Sequence, residues 1–151
     1  MFKRILVPLD GSKFSESALP YAKICATGCS QDVSITFVYV VAPLRIYEGL
    51  EHSLPPEEKK RLSQNAGKLA GEYLEKIAAE FKTAGFDIKT EVLYGPVTEN
   101  IVEYAEKNDI GLIIIGTNGA SGHKDKTLGA VADKVLHISS VPVLMARPPI
   151  D

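Results

Sequence analysis

The chain has 151 residues, 45% of them hydrophobic and 24% charged, with a formal net charge of −2. That length fits one domain with a real core, so residues 1–151 are expected to form a single unit. The slight negative charge argues against non-specific nucleic-acid binding, which needs a basic face, and no apolar run is long enough to span a membrane.

Met1-Phe2-Lys3-Arg4 runs straight into a strand-like segment, so no signal peptide is read and a cytoplasmic location is expected. Residues 5–9 are an apolar run that ends at the turn Asp10-Gly11-Ser12, with Pro8 where a strand should finish. Ser12 or Ser15 can cap a helix carrying Ala18, Leu19, Ala22 and Cys25 on one side. Pro20 should delay or kink that helix and Gly28 should end it. Cys25 and Cys29 lack the further ligands of a metal or redox site and read as small buried hydrophobes in a reducing compartment. His52, His123 and His137 are scattered, which gives no metal site.

Residues 33–41 are β-branched and aromatic with few charges, as in a buried parallel strand. Residues 42–56 break the pattern with Pro43, Gly49, Pro55 and Pro56, a surface excursion suited to a lid or a partner contact. A long helical pattern follows, in which Leu62, Ala66, Leu69, Tyr73, Ile77 and Phe81 recur at spacings of three and four. This predicts a stripe packed on the sheet, ending at Gly85, and barely three heptads argue against a coiled coil. Phe86, Ile88, Thr90 and Val92 alternate with polar residues, as in a strand near an edge. Gly95-Pro96 turns the chain, with Pro96 suited to the first helical position, and Val97, Ile101, Tyr104 and Ala105 mark the next helix. Residues 112–115 read as a strand, 128–139 as the last helix and 141–146 as a final strand. Pro142 near its start places that strand at an edge. Strands alternating with helices imply a parallel sheet covered on both faces.

The stretch 109–132 is the functional centre. A buried strand feeds Gly116-Thr117-Asn118-Gly119, then a polar loop with Lys124, Asp125 and Lys126, then Gly129-Ala130 and a helix. Glycines let backbone N–H groups approach an anion, and a helix N-terminus supplies free donors and a positive dipole end. The P-loop pattern fails because no glycine directly precedes Lys126-Thr127, and the dinucleotide-binding pattern G-x-G-x-x-G fails after every predicted strand. A phosphoacceptor receiver domain would fit the sheet, but Asp10 stands alone where an acidic pair is needed. Gly116, two residues, Gly119, nine residues and Gly129 remain as the pattern present.

With that spacing the chain resembles the universal stress protein family, whose nucleotide-binding members carry G-x2-G-x9-G-[ST]. The opening Ile5-Leu6-Val7-Pro8-Leu9-Asp10-Gly11-Ser12, the segments Val38-Tyr39-Val40-Val41 and Tyr94-Gly95-Pro96, and the closing Val141-Pro142-Val143-Leu144 resemble the family in the same order. The resemblance implies an α/β fold with a five-stranded parallel sheet of order 3-2-1-4-5 and helices on both faces, of the Rossmann-like, adenine nucleotide alpha hydrolase-like type. A nucleotide would then sit at the carboxyl ends of the first and fourth strands, where the strand order reverses.

Carried over by position, the resemblance implies contacts from Pro8, Leu9 and Asp10, with Asp10 on the ribose or on a phosphate-bound metal ion such as Mg. The Val40 backbone would read the adenine edge. Ile115, Gly116, Asn118, Gly119 and Gly129 would surround ribose and phosphates, and Ala130, Val131 and Ala132 would form the first helical turn facing phosphate. Ala130 departs from the pattern, because the family has Ser or Thr there. A lost hydrogen bond to a charged group costs about 1.5–3 kcal/mol, so binding of ATP or another adenine nucleotide is expected to survive, weakened. No catalytic residue and no protein metal site is expected. The reading is a non-catalytic stress-response regulator that pairs with a second copy through residues 141–146 and acts on a regulatory protein partner. Slow ATP hydrolysis and a nucleotide-free dimeric interaction protein are the alternatives.

Overall fold

The computed structural model describes residues 2–29, 32–43, 54–117 and 127–148. Most of the surface excursion read into residues 42–56, and Asn118, Gly119, Lys124 and Lys126 of the glycine stretch, lie outside these residues. Five strands form one sheet: β1 (Arg4–Pro8), β2 (Ser34–Val41), β3 (Asp87–Tyr94), β4 (Leu112–Gly116) and β5 (Val143–Ala146). All pairings are parallel, in the order β3-β2-β1-β4-β5, so the expected order holds and β5 lies at an edge.

The two faces of the sheet carry two apolar clusters, because alternate residues of a strand point to opposite sides. Ile5, Val7, Ile35 and Phe37 face the helices α2 (Leu19–Gly28) and α3 (Pro56–Thr83), where Phe37 meets the Phe81 ring edge-on at 5.0 Å. Leu6, Val38, Ile113 and Ile115 face α4 (Val97–Lys107) and α5 (Thr127–Ile138) through Ile101, Ala105, Ala132 and Val135. Burial on both faces is why β1 and β4 read as unbroken apolar runs.

Helix starts and stops follow local chemistry. A short α1 (Lys13–Glu16) is capped by Ser12, whose side chain accepts from the Ser15 N–H. The chain then breaks and restarts as α2 with Pro20 in its first turn, where a missing N–H costs nothing. Pro96 takes the capping position just outside α4 instead of the first helical one, and Gly95 before it has φ +122°, a conformation that favours glycine.

The stripe expected on α3 holds at Ile77 and Phe81, with Ala66 and Tyr73 half-buried, and fails at Leu62 and Leu69. Gly67, Ala70, Leu74, Ile77, Ala78 and Phe81 are buried, while Leu62 is 38% and Leu69 57% exposed. The buried face mixes small and large residues, and at Gly67 the Tyr94 hydroxyl occupies the space a Cβ would take. Helical periodicity alone selected the larger apolar side chains and missed the glycine and alanines that permit the close approach.

Candidate functional site

Beyond the carboxyl ends of β1 and β2 lies a cleft of about 340 Å³, within the usual range for small-molecule sites. Pro8, Leu9, Asp10, Val40 and Val131, all expected at a site, line it. Tyr39, Ala66, Val97 and Ile101 line it as well and were not singled out by sequence reasoning. An aromatic or aliphatic residue in a strand or an amphipathic helix carries a core signal, and nothing local marks it as a wall of a cleft.

The Asp10 turn is held by a closed set of hydrogen bonds. Asp10 Oδ1 accepts from the Ser12 N–H at 2.9 Å and from the Ser12 hydroxyl. Ser12 Oγ in turn accepts from the Ser15 N–H at 3.1 Å. The buried Ser15 hydroxyl donates to the Ser12 carbonyl at 2.8 Å and accepts from the Asp10 N–H at 3.3 Å. On the far side the Tyr39 hydroxyl donates to the Asp10 carbonyl at 3.2 Å. Gly11, at φ +84°, makes the reversal possible. One carboxylate oxygen is thereby fixed, while Oδ2 enters none of these bonds.

The end of β2 is built the opposite way. In a parallel strand the N–H and C=O of one residue point to the same side, and successive residues alternate. The Val38 carbonyl accepts from Leu9 N at 2.8 Å, so Val38 faces β1; the Val41 carbonyl accepts from Gly95 N at 3.1 Å, so Val41 faces β3. Val40 therefore faces the β1 side. Pairing of β1 with β2 ends at Pro8↔Val38, because the chain turns away at Asp10-Gly11. The Val40 donor and acceptor point past that end, into the space where its residue lines the cleft.

The β4 side adds two results. Gly116 ends β4, and a Cβ there would lie 2.0 Å from the Phe14 carbonyl oxygen and 2.9 Å from Ser15 Cα. Its bareness admits the backbone of α1, a packing role that the sequence reading did not include. Ile115 is wholly buried on the α4/α5 face. Thr117 is buried too, its N–H donating to the Ala146 carbonyl at 2.8 Å. Helix α5 begins at Thr127, so its first turn is Thr127–Ala130 and not 130–132. The N–H groups of Val131 and Ala132 fall within the helical ladder, and the free donors belong to the residues ahead of them. Gly129 lies inside the helix, Ala130 is exposed, and Ala132 is buried in the core.

A polar group behind the turn is left over. Tyr73 packs edge-on against Tyr39, with ring centroids 6.1 Å apart, and its hydroxyl is buried with no hydrogen bond of normal geometry. Burial first, then the nearby Glu16 and Asp10 carboxylates, push the Tyr73 pKa above the ordinary tyrosine value. Burial and Asp10 raise that of Tyr39 in the same direction. Among the described residues no group of three His, Cys, Asp or Glu side chains comes together to hold a metal, and no helix is long and apolar enough to cross a membrane.

A profile of the universal stress protein family matches residues 1–147. Universal stress protein MJ0531 of Methanocaldococcus jannaschii is 34% identical over 149 residues, covering 99% of this chain and 84% of its own. MJ0577 of the same organism is 30% identical, and its solved structure superposes with a TM-score of 0.80, covering 100% of this chain and 99% of that one. An Arabidopsis thaliana universal stress protein family protein solved with AMP bound shares the fold at a TM-score of 0.65 and 15% identity, covering 99% and 94% of the two chains.

Proposed function

Because the chain belongs to the universal stress protein family, we propose that its cleft binds an adenine nucleotide and that the bound state regulates a partner without chemistry on the ligand. The observation that carries this reading is the Val40 backbone, a donor and an acceptor side by side at the floor of an apolar cleft. An adenine edge presents the complementary acceptor and donor. Val97, Ile101 and Val131 supply apolar walls for a flat ring, and Asp10 lies on the same rim. Its Oδ2 suits a ribose hydroxyl or a cation held mainly by phosphates, since Mg takes one or two carboxylates and leaves the rest to phosphate and water. When bound, such a cation would neutralise phosphate charge. The solved relatives bound to AMP and to cAMP support the ligand class.

A regulatory role is favoured over catalysis by the cleft's described lining, in which Asp10 is the one ionisable carboxylate. Phosphoryl transfer draws on a positioned nucleophile and several charge stabilisers. The same reading has two copies pairing along β5, an edge strand with half-exposed Val143, Leu144 and Met145, in the cytoplasm. Edge strands with free backbone groups favour such pairing.

Calorimetric titration with ATP, ADP and AMP tests the ligand. Saturable binding of adenine nucleotides, with GTP at least tenfold weaker, is the expected outcome. Equal affinity for GTP or no heat with any nucleotide would remove the reading.

A further inference from the structure

The geometry points to Tyr39 as a positioning residue, one that sets the direction of the Asp10 carboxylate toward a bound ligand by holding the Asp10 main chain. This rests on the nucleotide reading above and deepens it. The Asp10 turn is tied at three places. Two ties are local in sequence: Ser12 on Oδ1 and Ser15 on the Asp10 N–H. They fix the side chain relative to α1, which is seated on β4 at Gly116, while the Leu9 N–H one residue earlier is held by the Val38 carbonyl. The third reaches across 29 residues, from the Tyr39 hydroxyl in β2 to the Asp10 carbonyl.

Val40 is the next residue along that strand, and its backbone faces the cleft. Tyr39 thus spans the two halves of the candidate site, its backbone joined to the base-reading peptide and its side chain to the acidic turn. Its half-buried ring packs against the core cluster and is braced edge-on by Tyr73. A rigid aromatic on a central strand loses little freedom in making this bond, which suits a group that fixes a distance. Without the hydroxyl, the Asp10 carbonyl would lose its own tie to β2, and its peptide could turn between the anchors at Leu9 and α1.

A double-mutant cycle on nucleotide affinity tests the coupling, using Tyr39→Phe and Asp10→Asn. Asparagine keeps the Oδ1 acceptor for Ser12 and removes the charge, so the turn persists. Each single change is expected to weaken ATP binding about fivefold, the scale of one hydrogen bond. The double variant should bind no more weakly than the poorer single one. Thermal unfolding run beside it shows whether the fold is intact, which the isosteric Tyr39→Phe should leave within a few degrees of the parent.

Losses that multiply in the double variant would mean that Tyr39 acts independently of Asp10, as a direct contact or through general stability, and would overturn the proposal. Unchanged affinity in Tyr39→Phe overturns it too. Unchanged affinity in Asp10→Asn removes the ligand role of Asp10, and the proposal with it, while nucleotide binding stands. No binding by the parent protein removes both.

Discussion

The turn after β1 and the end of β2 lie side by side, yet they treat their polar groups in opposite ways. At Asp10 nearly every donor and acceptor is committed within the protein, to Ser12, Ser15 and Tyr39. At Val40 a peptide donor and acceptor face outward past the last β1 pairing. Committed groups set direction, and open ones can be read by a ligand. A site of modest size needs both, because an open group on a loose turn would lose its alignment, and a closed turn has nothing to offer.

The comparison can be broken most severely at Gly116. A valine there would drive its side chain into the Phe14 backbone, which cannot move aside as a side chain can. Gly116→Val should cost about 3 kcal/mol by denaturant unfolding, the upper range for overpacking, and should displace α1 with the Ser12 and Ser15 ties. A cost below about 1 kcal/mol would show that α1 is not seated on β4 as described. Next comes Val40→Pro, which deletes the outward N–H, fixes φ and replaces the side chain. Proline is tolerated in a strand where the N–H is not used by the ladder. ATP affinity should fall about tenfold while stability changes by about 1 kcal/mol or less. A large stability loss would show that the Val40 N–H is engaged within the sheet.

The smallest effect sharpens the closed side. Tyr73→Phe removes a buried hydroxyl without a bond, so it should raise stability by about 1 kcal/mol. It should also flatten the alkaline limb of stability against pH. The folded pKa is raised, so the neutral hydroxyl favours the folded state below the ordinary tyrosine value of 10.0, and that contribution is lost as pH rises from there toward the folded value. An unchanged slope above pH 10.0 would place the Tyr73 hydroxyl in contact with water.

Much of the fold was legible because strands and helices here obey their periods. Apolar runs at β1 and β4, proline at the helix starts and glycine in the turns each carry one local cause. The order of the strands came instead from resemblance, since nothing in five apolar runs says which pairs with which. The α3 stripe was read only in part for a related reason: its buried face mixes Gly67, Ala70 and Ala78 with Leu74, Ile77 and Phe81, and hydrophobicity ranks the small residues low. Asp10 and Val40 were legible and line the cleft, whereas the packing of Gly116 on the Phe14 backbone was not legible. A bare position suits a ligand or a neighbouring backbone equally, and the sequence alone does not name the backbone. Tyr39 escaped notice because a tyrosine in a buried strand looks like packing until its hydroxyl is traced to a partner 29 positions away.

The early departure of β1 has a consequence for how ligand preference could arise within this architecture. Its pairing with β2 stops at Pro8, whereas β3 follows β2 to Val41. Were the first strand longer by a single hydrogen-bonded step, Val40 would be absorbed into the ladder. The topology would be identical, and the outward donor and acceptor on which the proposed adenine reading depends would be gone.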